Sequence, residues 1–174
     1  MCIRDSCKTS RIYDMTDRYS PNGPLTGLRI LDLSRVLTGP FCTMILADLG
    51  AEVLKLEEPG SGDQTRTVPP FVEDESHYFM AINRNKKSLV VDLKSNKGRD
   101  IARALARKSD ILVENFRPGV MERLGLSPNC LQKENPELII CSITGFGQNG
   151  PKSEAPSFDL VTQALSGIMS INGE

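Results

Sequence analysis

The chain has 174 residues, with 21 Lys and Arg against 22 Asp and Glu and a formal net charge of -1. That length suffices for one core of ordinary size. The balanced charge excludes general affinity for nucleic acid or an anionic membrane, and no apolar run approaches the ~20 residues of a membrane span.

Residues 1–23 carry no apolar periodicity and no signal-peptide core, so they read as a disordered or non-native leader. The first six residues are also what a common transposon-end sequencing adapter encodes, which makes Met15 a candidate natural start. From Leu28 the pattern changes. Leu28–Leu33 and Ala51–Leu56 are apolar runs bracketing a helical stretch from about Pro40 to Gly50, which predicts a βαβ unit. Glu58-Pro59-Gly60-Ser61-Gly62-Asp63 is a turn cluster, followed by a polar loop over 64–74. Ser76–Ile82 reads as a short helix and Ser88–Leu93 as a strand. Lys97–Lys108 places Ile101, Ala102 and Leu105 at helical spacing. Ile111–Val113 is a buried strand, Val120–Leu124 a short helix stopped by Gly125. Ser127-Pro128 then starts another helix, with Ser127 as N-cap and Pro128 in the first helical position. Leu138–Ile143 is a strand and Ser157–Met169 the last predicted helix. The chain ends at Glu174 with no stop signal, so residues 24–174 read as an incomplete domain, truncated at its C-terminus.

Strands alternating with helices predict an α/β fold, a Rossmann-like parallel sheet with right-handed crossovers and flanking helices. Three strands run into polar, glycine-bearing loops: Ser34–Gly39, Glu114–Gly119 and Thr144–Pro151. In a parallel sheet all three emerge on one edge, where open α/β sheets bind ligands. Singly, each is an ordinary turn, and Arg35, Lys94, Arg117 and Arg123 are ordinary surface charges. Together they favour a phosphorylated ligand. The loop after the first strand lacks both G-x-G-x-x-G and G-K-[ST], so neither a dinucleotide fingerprint nor a P-loop is present.

Reactive groups are few. The five cysteines, Cys2, Cys7, Cys42, Cys130 and Cys141, lack C-x-x-C spacing, and with the single His77 they give no metal site. Cys42 and Cys141 read as small buried hydrophobes in a reduced, cytoplasmic protein. His77 reads as a surface or helix-end histidine. Asp32 and Glu57 end strands and could orient loops. Asp159 opens the last helix, and serves equally as a helix N-terminal carboxylate or a catalytic one.

In order along the chain stand Pro24-Leu25-Thr26-Gly27-Leu28-Arg29-Ile30-Leu31-Asp32-Leu33, Gly39-Pro40, Leu49-Gly50-Ala51-Glu52-Val53 with Lys55-Leu56-Glu57, and Pro59-Gly60-Ser61-Gly62-Asp63. Then come Asn83-Arg84-Asn85-Lys86-Lys87-Ser88, Glu114-Asn115-Phe116-Arg117-Pro118-Gly119 and Ser142 to Pro151. This series resembles the class III CoA-transferases, the family of formyl-CoA transferase and carnitine CoA-transferase, and is closest in pattern to the succinate–hydroxymethylglutarate branch. The resemblance implies a Rossmann-like large domain, an interlocked homodimer, and acyl-CoA plus a carboxylic acid as substrates, with no permanently bound cofactor.

Carried onto this sequence, the family's coenzyme A contacts fall on Arg35, Val36, Leu37 and Thr38, on Val91 to Lys94, on Asn115, Phe116 and Arg123, and on Ile143, Thr144, Gly145 and Phe146. Lys94 and Arg123 would meet phosphate, and Asn115-Phe116 the nucleotide end. Leu37 replaces the polar residue of oxalate-handling members, which speaks against oxalate. The implied chemistry is covalent: an aspartate attacks the thioester, giving an anhydride and then an aspartyl thioester. That aspartate is expected just after Glu174, with Asp159 as the alternative, and the piece alone is expected to be inactive.

Two other readings compete. An α-methylacyl-CoA racemase of the same fold needs a proton-transferring histidine where this chain has Phe158. A non-catalytic nucleotide-binding Rossmann module would lack its glycine fingerprint here.

Overall fold

The structure, a computed structural model, describes residues 3–5 and 23–173. Most of the expected leader and the chain end at Glu174 lie outside the described residues. Eight strands are described, β1 Ile3–Asp5, β2 Arg29–Asp32, β3 Glu52–Glu57, β4 Phe71–Val72, β5 Glu75–Ser76, β6 Lys86–Val90, β7 Ile111–Glu114 and β8 Ile139–Ser142. The helices are α1 Thr38–Asp48, α2 His77–Asn83, α3 Asn96–Ala106, α4 Val120–Arg123, α5 Pro128–Glu134, α6 Asp159–Ser166 and α7 Ile168–Ile171. Among the described residues no helix is long and apolar enough to cross a membrane.

The main sheet has the order β1-β6-β3-β2-β7-β8. From β6 to β8 all pairings are parallel, and β1 joins β6 antiparallel. Counting from β2, the parallel strands run third, second, first, fourth, fifth across the sheet, the doubly wound order. The order in which strands are added to the sheet therefore reverses between β2 and β7, and the loops after these two strands flank the switch point.

Side chains alternate across the sheet. One face packs Leu31, Leu33, Leu56, Leu89 and Leu112 against Ala102 and Ala106 of α3, Met121 of α4 and Leu131 of α5. The other sets Ile30, Val53 and Val113 against Ala47 of α1. Local chemistry sets the helix starts. Ser76, Ser95 and Ser127 each accept a hydrogen bond from a backbone N–H of the first turn, at Phe79, Gly98 and Cys130.

Several features depart from the sequence reading: Ile3–Asp5, within the expected disordered leader, pair with β6 as β1, and the strand expected over Ser88–Leu93 runs from Lys86 to Val90. The segment 64–74 is not a plain loop: Gln64–Thr67 form a 3-10 turn, and β4 and β5 form a hairpin turned by Glu73 and Asp74, with φ of 49° and 64°. The helix expected over Ser157–Met169 breaks into α6 and α7 at Gly167, whose φ of 80° ends α6 in a left-handed cap. Cys42 and Cys141 are half-buried rather than fully buried.

Gly98 shows how tightly α3 is seated. A Cβ there would stand 1.9 Å from the Asp92 carbonyl oxygen. Alanine ordinarily stabilises a helix interior relative to glycine by about 1 kcal/mol. Here the sign reverses. Gly98→Ala is expected to cost about 1–3 kcal/mol through forced displacement of α3, read as a lower urea midpoint in the complete protein.

Candidate functional site

Towards the carboxyl edge the α1 side of the sheet changes character. Past Ile30 and Val53 come Asp32, Lys55, Glu57 and Ser88, and Lys86, in register with Val53, reaches the same layer with its side chain; all are buried. Their alternation is that of an ordinary strand, but every charge has a partner. Asp32 Oδ2 accepts from Thr43 Oγ1 at 2.6 Å and from Lys86 Nζ at 3.2 Å, and its Oδ1 accepts the Ser34 amide at 2.9 Å. Lys86 also donates to the Pro40 carbonyl at 2.7 Å and to Asn83 Oδ1 at 2.9 Å. Lys55 Nζ lies 2.9 Å from Asp63 Oδ2 and donates to the Ser34 carbonyl at 2.7 Å. Glu57 receives Arg66 through two hydrogen bonds of 2.7 Å, the Ser88 hydroxyl, and the Asp63 amide at 3.0 Å. The Arg66 guanidinium stacks 3.7 Å over the Phe79 ring.

These contacts move the titrations. Burial pushes Glu57 up, but Arg66, Ser88 and the Asp63 amide outweigh it and hold the carboxyl at about 2. Burial lowers Lys86 to about 8, against the opposing pull of Asp32. Burial likewise raises Asp63, and Lys55 with the Thr65 donors brings it below its ordinary value.

On the opposite face, at the same edge, a cavity of about 530 Å³ opens. Leu33, Leu56, Val91, Leu93, Phe116, Val120 and Leu124 give it an apolar body, while Arg35, Glu57, Glu58, Asp92 and Lys94 supply polar groups at the strand ends. A few polar groups around an apolar hollow of this size are the usual make-up of a small-molecule site. Arg35 Nη1 lies 3.2 Å from Glu58 Oε2, and the guanidinium stands 5.6 Å from the Phe116 ring centroid. Asn115 joins the two switch-point loops, its Oδ1 accepting the Arg35 amide at 2.8 Å and its Nδ2 donating to the Arg35 carbonyl at 2.7 Å.

The structure thus brings Arg35, Val91, Lys94 and Phe116 to one cavity, with Asn115 beside it. Val36, Leu37 and Thr38 are exposed on the adjoining loop, at the start of α1. Arg123 is exposed on α4 and does not line the cavity. Thr144, Gly145 and Phe146 follow β8 at the end of the sheet, also outside it. There Gly145 is pressed against Ser157, where a Cβ would come within 2.0 Å of the Ser157 Cβ. Asp159 is exposed at the start of α6 and accepts from Gln163 Nε2 at 2.7 Å. His77 is exposed as the first residue of α2. The sequence reading named Asp32 and Glu57 as loop-orienting residues but passed over Lys55, Asp63, Arg66 and Lys86. The one signal for them was the placing of a lysine among Val53, Leu54 and Leu56.

Because Glu57 is more acidic when folded than unfolded, its contribution is complete above about pH 4.5 and is lost as pH falls towards 2. A depression of this size is worth on the order of 3 kcal/mol for a buried group. Glu57→Gln is therefore expected to lower stability at pH 7 by about 2–3 kcal/mol. It should also flatten the acid limb of a plot of denaturation midpoint against pH across that window.

Known proteins resemble this chain in sequence and fold. The sequence model of CoA-transferase family III matches residues 25–174. Acetyl-CoA:oxalate CoA-transferase from Acetobacter aceti is 52% identical over 158 residues, covering 91% of this chain and 41% of that protein. Succinyl-CoA:glutarate CoA-transferase from Mus musculus is also 52% identical, over 151 residues, covering 86% of this chain and 35% of that protein. The crystal structure of a CAIB/BAIF family protein from Brucella suis superposes with a TM-score of 0.84 at 43% identity, over 88% of this chain and 42% of that one. The chain spans roughly two fifths of the length of these relatives. A match running from Leu25 to the end of the chain, on the doubly wound sheet just described, shows that it belongs to CoA-transferase family III.

Proposed function

We propose that the protein carrying this chain transfers coenzyme A between an acyl-CoA thioester and a carboxylic acid, and that the strand-end cavity receives the coenzyme. The observation that carries this reading is the convergence of Arg35, Lys94 and Phe116 on one apolar-bodied cavity at the switch point. Coenzyme A has a pantetheine arm of methylene and methyl groups broken by two amides, an aromatic base and phosphates. The cavity offers apolar walls, an aromatic ring and two cations for these parts. The Arg35–Glu58 pair stands at the mouth, where Arg35 can exchange its carboxylate partner for phosphate. Arg123, exposed on α4 outside the cavity lining, would add a third cation for phosphate.

The acid partners named for the relatives, oxalate and glutarate, are both dicarboxylic acids. Leu37, exposed beside the strand ends, offers no hydrogen bond to a short diacid. We therefore favour succinyl-CoA as donor with a longer dicarboxylate such as glutarate as acceptor. Transfer would proceed through an aspartyl anhydride and an aspartyl thioester, on an aspartate supplied beyond Glu174. The exposed apolar side chains of α6 and α7, among them Phe158, Leu160, Leu165 and Ile171, support a homodimer in which this face is covered.

The test is CoA exchange by the complete open reading frame that carries this sequence, with succinyl-CoA against a series of dicarboxylates. Exchange with glutarate exceeding that with oxalate is expected, and no exchange with any diacid would refute the reading. Lys94→Ala is expected to raise the KM for acyl-CoA about tenfold while leaving kcat within about threefold, as loss of a charged hydrogen bond made equally in ground and transition states requires.

A further inference from the structure

We propose that the buried Lys55–Asp63 ion pair is the positioning device that fixes the Ser34–Thr38 loop in its ligand-accepting conformation, an inference that rests on the coenzyme A reading above. Val36 has a φ of 67°. A β-branched residue in the left-handed region is a genuine outlier, kept only where its surroundings over-determine it. Packing does not do so here, since Val36 is 43% exposed.

Hydrogen bonds do: Asn115 holds both backbone groups of Arg35, and the ion pair beneath holds the residues on either side of it. The Val36 amide donates to Asp63 Oδ1 at 3.3 Å, and Lys55 Nζ donates to the Ser34 carbonyl at 2.7 Å. The same two side chains are paired at 2.9 Å and are 2% or less exposed. Asp63 Oδ1 is itself locked by the Thr65 amide at 3.0 Å and the Thr65 hydroxyl at 2.9 Å. A pair serving stability alone would need no contact with the loop. This one grips the loop backbone at Ser34 and Val36, on both sides of Arg35. The reversal at Val36 then sets Leu37 and Thr38 out at the sheet edge, both exposed, at the start of α1.

The test compares the complete protein with three variants. Lys55→Met/Asp63→Leu replaces the pair by apolar side chains of comparable volume, a change that buried ion pairs often tolerate without loss of fold. It leaves Val36 without its acceptor. Binding of coenzyme A, by titration calorimetry, is expected to weaken roughly tenfold, and amide exchange over 35–38 to speed up while that of Leu31 and Leu112 stays slow. Adding Val36→Gly to the pair variant should recover part of the lost affinity, because glycine takes a positive φ freely. A purely structural pair would show no such rescue.

Unchanged affinity and exchange in the pair variant, or no rescue by Val36→Gly, overturns the proposal. Should the pair variant not fold, Val36→Pro decides. Proline cannot adopt a positive φ and has no N–H for Asp63. Lost binding with retained fold supports the proposal, and binding at wild-type strength overturns it. If the unaltered protein does not bind coenzyme A, the functional reading fails. Exchange over 35–38 then decides the positioning by itself, faster exchange in the pair variant upholding it and unchanged exchange refuting it.

Discussion

A charge buried under a sheet must have a partner, and that requirement organises this chain. Asp32, Glu57 and Asp63 are matched by Lys86, Arg66 and Lys55, each pair within 3.2 Å. Three acids and three bases leave no net charge in the layer. Removing one member would strand its partner in a low-dielectric interior, a costly event for a buried ion pair. The arrangement is therefore collective. Each segment that touches it (the loops at Ser34 and Asp63, helix α1 at Pro40 and helix α2 at Asn83) is tied to the same set of charges.

The sheet then has two different faces at one edge. On the α1 side the polar layer is dense and filled. On the side of α3 and α4 the same strands end in leucines and valines around an open cavity of about 530 Å³. Period-two alternation makes this division possible: Leu56 faces the cavity while Lys55 faces the polar layer. Glu57 takes part in both, lining the cavity and receiving Arg66. A rigid floor and an apolar hollow, placed where the strand order reverses, are what a preorganised ligand site requires.

Much of this was legible in the sequence, for physical reasons that can be named. The βαβ unit showed because Leu28–Leu33 and Ala51–Leu56 are strongly apolar, and α5 because Ser127 and Pro128 occupy cap and first-turn positions. The strand-end loops were legible as one edge, since parallel topology places them together. The polar layer was not. Lys55 looks like a solvent-facing strand residue and Lys86 like part of the segment leading into the Ser88 strand, and only the tertiary fold closes α1, α2 and the 3-10 turn over them. The β4–β5 hairpin escaped because two-residue strands carry no periodicity. Residues 144–146 were grouped with the other loops on topology, yet β8 lies at the end of the described sheet, away from the cavity. Arg123 was placed by motif, and its exposed position on α4 sets it outside the cavity.

On the proposed function, the edge of the sheet is prepared for its ligand before coenzyme A arrives. A crystal structure of the complete protein with coenzyme A bound tests this most directly. The account predicts the coenzyme along the ends of β2, β6 and β7, with Lys94 and Arg35 on its phosphates. Val36 should remain in the left-handed region and the Lys55–Asp63 pair intact. Coenzyme A on another face of the sheet, or bound here only after Val36 has left that conformation, would contradict it.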